Sequence, residues 1–136
     1  MSSNRRPRGD PTARPAAERG AVIVAIALAP GGAAGQGWGR AQRVAVACVD
    51  DERIQSWDEY DVGWDVLHDE GSEGGHHARI ARFLGAHGVQ LVLAGHMGPP
   101  MVQMLGRMGV RVRLGDAGEP RAAVIAAVRS DIPADA

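Results

Sequence analysis

The order of hydrophobic patterns along this 136-residue chain predicts a single α/β domain built on a five-stranded mixed sheet. Three strand patterns come first, and helical and strand patterns then alternate, which gives the order βββαβαβα. Antiparallel strands followed by crossover units place helices on the faces of such a sheet. Because no repeat or second core is evident, we expect a leader at residues 1–19, one domain at residues 20–130 and a tail at residues 131–136.

Three predicted strands open the domain. Residues 22–28 form a continuous β-branched run, which is typical of a central strand buried on both faces. The glycine-rich segment 31–39 separates this run from a second strand at residues 43–49. Residues 54–60 are more polar and predict an edge strand, joined to the second strand by the acidic turn 50–52. We expect the three strands to pair as an antiparallel meander.

Helices and strands alternate in the second half of the domain. Apolar side chains spaced i, i+3, i+4 and i+7 predict a helix over residues 76–87, with Gly88 as its stop. A proline pair marks the start of the next helix, and a glycine marks its end. The elements that follow the first helix are, in order, a strand at residues 90–94, a helix from Pro99-Pro100 to Gly109, a strand at residues 110–114 and a helix at residues 120–128.

Composition excludes several classes of function. A net charge of −1 argues against nucleic acid as a partner, and no stretch reaches the ~18 apolar residues of a membrane span. Cys48 is the single cysteine, which excludes an internal disulfide and a multi-thiolate site and fits the cytoplasm. Arg5-Arg6 and the apolar run 21–29 imitate an export signal, but that run is short and supplies a strand that the fold needs.

All five histidines lie in the region 68–96, and imidazole is a common metal ligand. His96 is the strongest candidate, because it follows a strand at the edge of the sheet where ligands gather in α/β folds. His76 and His77 open a helix but point about 100° apart, so capping or surface roles stand beside metal ligation. His68 lies in the loop before that helix. His87 continues the apolar stripe and is interpreted as a packing residue.

Two other classes of function remain open at this point. Asp50, Asp51 and Asp116 follow strands and could hold Mg²⁺ in a divalent-metal hydrolase. A protein-interaction or regulatory module on the same fold is the other alternative. Cys48 lies in an apolar strand and is interpreted as a core residue, which leaves nucleophilic catalysis without support.

Four short motifs, taken in order, resemble the dinitrogenase iron–molybdenum cofactor biosynthesis family, whose small domains bind and carry iron–sulfur precursors of the nitrogenase cofactor. Many members have His-Phe-Gly-Arg in the first motif, whereas this chain has glycine at the position of that histidine. Together the motifs span about residues 20–130. They are Gly37-Trp38-Gly39-Arg40-Ala41, Glu73-Gly74-Gly75-His76-His77, Val92-Leu93-Ala94-Gly95-His96-Met97-Gly98-Pro99 and Val112-Arg113-Leu114-Gly115-Asp116-Ala117-Gly118.

The resemblance implies a ribonuclease H-like motif with three helices, and a non-catalytic carrier for an iron–sulfur or iron–molybdenum cluster or a metal ion. With one cysteine, a cluster would arrive preassembled and be held by few ligands. Donor and acceptor proteins would be the partners, and a homodimer is left open. The implied cluster-contacting residues are Trp38, Arg40, Gly95, Met97 and Gly98, and the candidate metal ligands are His96, His76, His77 and His68.

Overall fold

The computed structural model describes residues 21–29, 37–67, 72–115 and 118–131. The strands are β1 (Val22–Leu28), β2 (Arg43–Asp50), β3 (Arg53–Asp61), β4 (Leu91–Ala94) and β5 (Arg111–Leu114). The helices are α1 (Trp64–Leu67), α2 (Glu73–His87), α3 (Pro99–Arg107) and α4 (Pro120–Asp131). Within these described ranges, no helix has the length and apolar character needed to cross a membrane.

The five strands form one mixed sheet in the order β3-β2-β1-β4-β5. β1 pairs antiparallel with β2 and parallel with β4, and β5 pairs parallel with β4. The β-branched run is therefore the central strand, and the polar third strand lies at an edge, as the sequence predicts. This is the ribonuclease H-like arrangement that the resemblance implies.

Alternation along the strands divides the core into two layers, because successive side chains of a strand point to opposite faces. Ala25 and Ala27 of β1 pack on the face covered by α2 and α3. Val24 and Ile26 pack on the other face, against α4. The sheet is thus covered on both faces, as expected for an α/β domain.

The segment predicted to be a loop before the first long helix contains more structure than expected. Trp64–Leu67 forms the one-turn helix α1, so the prediction of three helices is one helix short. α2 begins at Glu73, three residues before the predicted start, because Ser72 caps it and accepts a hydrogen bond from the Gly75 amide. Gly88 ends α2 with φ of 65°, the left-handed conformation that favours glycine.

The acidic turn between β2 and β3 is confirmed as a tight hairpin. Asp51 and Glu52 both have positive φ, 55° and 60°, as a type I′ turn requires. Val49 of β2 pairs with Val22 of β1, so the hairpin lies at the end of the sheet where β1 begins. It is opposite to the end at which the parallel strands β1, β4 and β5 terminate.

Candidate functional site

A cleft of about 340 Å³ lies at the edge of the sheet where β1 and β4 end. Three segments form its walls: the turn at residues 38–41, the first turn of α2, and the segment that leads from β4 into α3. Ligands bind at this edge in open α/β sheets. The residues that line the cleft are Gly39, Arg40, His76, His77, Met97, Gly98, Pro100 and Met101.

Backbone hydrogen bonds fix the first wall to the third. Gly37 forms an isolated parallel bridge with His96, and the Trp38 amide donates to the His96 carbonyl at 3.0 Å. The Ala41 amide then closes the turn on the Trp38 carbonyl at 3.2 Å. This bridge extends the sheet by one residue pair beyond the end of β4. The turn at residues 38–41 follows the bridge directly, so its position is fixed relative to β4.

His76 connects the same turn to α2. It is 5% exposed, and its Nε2 lies 2.8 Å from the Gly39 carbonyl oxygen. Its Nδ1 lies 2.7 Å from Nη1 of Arg79, one turn further along the helix. Arg79 also donates to the Leu67 carbonyl at 3.3 Å, which ties α1 to α2. The side chains of His76 and Arg79 thereby connect the turn at residues 38–41, α1 and α2.

An aromatic cluster packs against His76, one of the residues that line the cleft. The Trp38 and Trp64 rings meet edge to face, with centroids 5.2 Å apart and planes at 73°. Trp64 makes similar contacts with Phe83 at 5.6 Å and with His76 at 6.5 Å. Among the described residues, Trp38 Nε1 is the buried side-chain polar atom that lacks a hydrogen-bond partner. The Trp38 ring, which is 1% exposed, is therefore held in place by packing.

The chemical character of the cleft is cationic and polarizable. Arg40 is exposed at its mouth, and His77 is half-buried. Met97 and Met101 are 6% and 5% exposed, so their thioethers form an apolar floor. Among the residues whose side chains the structure describes, none that lines the cleft is a carboxylate. The cleft therefore suits an anion with a soft surface.

A second arginine close to this edge already has carboxylate partners. Arg43 Nε lies 2.9 Å from an Asp61 carboxylate oxygen, and Nη1 lies 3.3 Å from Glu59. The hydrogen bond to Asp61 and the charge of that carboxylate are the main causes that raise the pKa of Arg43 above its ordinary value. Arg43 thus belongs to an exposed ion-pair network on β2 and β3, outside the cleft.

The first turn of α3 differs from an ordinary anion-binding helix start. Pro99 and Pro100 occupy its first two positions, and prolines have no amide hydrogen to offer. The Gly98 cap makes no side-chain hydrogen bond. An oxyanion normally binds at a helix N-terminus through several amide donors, and here two of them are missing.

The structure brings together some of the sequence-predicted site residues and separates others. Arg40, His76, His77, Met97 and Gly98 line the cleft. The others differ in placement. Trp38 is buried, and neither it nor Gly95 nor the exposed His96 is among the lining residues. His68 lies outside the described residues. His96 contributes its backbone carbonyl to the wall, while His87 packs on Tyr60 and Phe83, as predicted.

The structure describes two of the three carboxylates of the hydrolase alternative. Asp50 and Asp51 lie at the hairpin, next to the start of β1. Asp116 lies outside the described residues. In the described part of the chain, no group of three or more His, Cys, Asp or Glu side chains could hold a metal ion.

Arg79 and three lining residues, Gly39, Pro100 and Met101, were not predicted as parts of the site. Met101 carries the helical spacing of a core residue, and it is indeed buried. Pro100 carries the signal of a helix start. Arg79 lies three residues after His76, a spacing at which helix side chains meet, and this was the available signal.

Known structures share this fold over most of the chain. The apo form of the orange protein of Desulfovibrio gigas matches at 25% identity with a TM-score of 0.63, over 82% of this chain and 90% of that one. The protein PH0822 matches at 17% identity and a TM-score of 0.62, over 84% and 98%. The mj0327 protein of Methanocaldococcus jannaschii matches at 9% identity and 0.57, over 82% and 91%.

Comparison of the amino-acid sequence with known proteins identifies the family. Curated proteins give no match. A family model described as dinitrogenase iron-molybdenum cofactor matches residues 20–131, which include all three walls of the cleft. The chain therefore belongs to the dinitrogenase iron–molybdenum cofactor family.

Proposed function

We propose that this domain carries an anionic, sulfide-rich metal cluster in the cleft and performs no catalytic turnover on it. The observation that carries the proposal is the lining that the structure describes, which offers one guanidinium, two imidazoles and two thioethers. Arg40 supplies positive charge for an anion. Met97 and Met101 supply polarizable, apolar contacts for a sulfide surface, which is itself polarizable and gains dispersion energy from them.

The cluster would arrive preassembled. An iron–sulfur site built by the protein itself normally uses four cysteine thiolates, whereas this chain has Cys48 alone. The described residues also contain no ready-made group of three metal ligands. His77 is the candidate for one exchangeable bond, because its side chain lines the cleft and is half-buried. Weak ligation of this kind suits a protein that gives up its cargo.

The wall at α3 supports a preference for sulfide over oxo surfaces. Oxyanions need hydrogen bonds to replace their hydration, and Pro99 and Pro100 remove two donors that a helix start would offer. Sulfide surfaces are weaker acceptors and lose less when they contact thioethers and proline rings. The same lining that binds a thiometalate would therefore bind the corresponding oxyanion poorly.

Family membership supports the identity of the cargo. The model that matches the chain is described by the iron–molybdenum cofactor of dinitrogenase. On this basis the cargo is an iron–sulfur or iron–molybdenum type cluster, received from one biosynthetic protein and passed to another. The single cysteine suits a reducing compartment, so we place this transfer in the cytoplasm.

An anaerobic titration with tetrathiomolybdate, followed by its absorption spectrum, tests the proposal. Molybdate, which has the same charge and shape but oxo ligands, is the matched control and should compete poorly. Arg40→Gln should weaken tetrathiomolybdate binding on the order of fivefold, the loss expected for one partly screened ion pair of ~1 kcal/mol. Arg107→Gln, which removes an exposed arginine at the far end of α3, should leave binding unchanged.

Reconstitution with iron and sulfide tests the histidines. His77→Ala should lower cluster retention more than His96→Ala, because His77 lines the cleft and His96 does not. Equal binding of molybdate and tetrathiomolybdate would contradict the preference for sulfide. Failure of the wild-type protein to retain either thiomolybdate or an iron–sulfur chromophore would contradict carriage and favour the interaction-module alternative.

A further inference from the structure

We infer that His76 is a positioning residue of the cleft, which holds the turn at residues 38–41 and thereby Arg40, and that it is not a ligand of the cargo. The inference rests on the proposed function for the identity of the cargo. Its structural basis is the pair of hydrogen bonds made by the imidazole, 2.8 Å to the Gly39 carbonyl and 2.7 Å to the Arg79 guanidinium.

The two partners assign a single tautomer to the ring. A carbonyl oxygen can only accept a hydrogen bond, so Nε2 of His76 carries the proton and donates it to Gly39. A guanidinium can only donate, so Nδ1 presents its lone pair to Arg79. Each nitrogen of the imidazole therefore has a partner.

Ligation would require His76 to give up one of these bonds in a buried place. A metal needs a nitrogen lone pair, and the lone pair on Nδ1 is directed at Arg79. Freeing it would leave an arginine at the inner side of α2 without that acceptor. Freeing Nε2 would leave the Gly39 carbonyl without its donor, and His76 itself is 5% exposed. His77, its neighbour, lines the same cleft and is half-buried.

The bond to Gly39 determines where Arg40 lies. The turn is anchored at its start by the Trp38 amide and closed by the Ala41 amide, and between these points the hydrogen bond from His76 to Gly39 links it to α2. Without it the Gly39 peptide could rotate, and the Arg40 side chain would leave the mouth of the cleft. His76 thus acts on the cargo through Arg40.

Two substitutions of His76 separate positioning from ligation. The amide nitrogen of glutamine can occupy the place of Nε2, so His76→Gln keeps a donor for Gly39. Asparagine is shorter and places its oxygen near Nδ1, so His76→Asn keeps an acceptor for Arg79 but loses the bond to Gly39. Neither amide replaces an imidazole as a metal ligand. The probe is tetrathiomolybdate, titrated anaerobically into each variant of the full chain.

For a positioning residue we expect His76→Asn to weaken probe binding by about fivefold, and His76→Gln by less than about twofold. In an Arg40→Gln background His76→Asn should have no further effect, because both changes remove the same interaction. Equal losses in the Gln and Asn variants, or a full additional loss in the Arg40→Gln background, would overturn the inference, because His76 would then act on the probe independently of the Gly39 bond or of Arg40.

A second readout needs no cargo. Hydrogen exchange of the Ala41 amide, which closes the turn, should accelerate by about tenfold in His76→Asn and remain near the wild-type rate in His76→Gln. Equal exchange in both variants would overturn the inference even if the probe binds as proposed. If the wild-type protein fails to bind the probe, the proposed function fails, and the exchange rates still decide whether His76 holds the turn.

Discussion

The two faces of the sheet are packed with different chemistry. The face under α2 and α3 contains the aromatic cluster, with Trp38 and Trp64 fully buried, together with His76. The face under α4 is packed with aliphatic side chains and alanines, and its tryptophan, Trp57, is half-buried below Arg121 at 4.4 Å. A groove of about 270 Å³ between β4, β5 and α4 is lined mostly by small residues on this second face.

The two faces therefore have different roles: one holds the walls of the cleft in place, and the other only stabilises the fold. On the α2 and α3 face, rigid rings and a buried histidine define the positions of a turn and two helix starts, as preorganised sites require. On the α4 face, small aliphatic residues suffice, because that face has only to cover the sheet. The aromatic side is therefore the side that carries the candidate cleft.

The largest expected effect compares two tryptophans, one on each face. Trp38→Ala should lower the free energy of unfolding by about 3–5 kcal/mol, because it empties a fully buried site. Trp57→Ala should cost about 1–2 kcal/mol, because it removes a half-buried ring and an exposed cation–π contact. Urea unfolding measures both values. Comparable costs would contradict the distinction between the two faces.

A smaller effect is expected from Arg121 itself. Arg121→Ala removes the cation above Trp57 and should cost about 0.5–1 kcal/mol, the range for an exposed cation–π pair. Binding of tetrathiomolybdate should not change, because α4 contributes no residue to the cleft. A loss of binding in this variant would show that the α4 face participates in the site.

The smallest expected effect concerns the cap of α3. Gly98 has φ of −69° and ψ of 152°, which any residue adopts, and it makes no side-chain cap bond. A Cβ there would lie 3.9 Å from Pro100 Cδ, an ordinary contact. Gly98→Ser should therefore raise the free energy of unfolding by a few tenths of a kcal/mol, up to about 0.5. Thermal unfolding measures this, and a marked destabilisation would show that the glycine is needed for space.

Most of the fold follows from local patterns. β1 is β-branched and continuous, which predicts its central place, and the polar character of β3 predicts an edge. α1 was not predictable in this way, because four residues cannot show a helical period and its stability comes from burying Trp64. The early start of α2 depends on the cap made by Ser72, which precedes a glycine pair that is unfavourable in helices.

The site was predictable only as a region. Strand-end position and the histidine count point to the end of the sheet at which the cleft lies, and five of the predicted residues line that cleft. The direction of each side chain depends on tertiary contacts: the carbonyl of His96 forms part of the wall while its side chain does not line the cleft. Likewise, adjacent histidines on a helix differ in burial, His76 being enclosed and His77 half-buried, and this follows from the turn at residues 38–41.

The central claim is that the methionine floor of the cleft contacts a sulfide-rich anion. The direct measurement is the NMR spectrum of ¹³C-labelled methionine methyl groups during anaerobic titration with tetrathiomolybdate. We predict that the signals of Met97 and Met101 shift and saturate together, while that of Met108, exposed beyond the far end of α3, stays in place. Saturable shifts that spare Met97 and Met101, or equal shifts on addition of molybdate, would contradict the account.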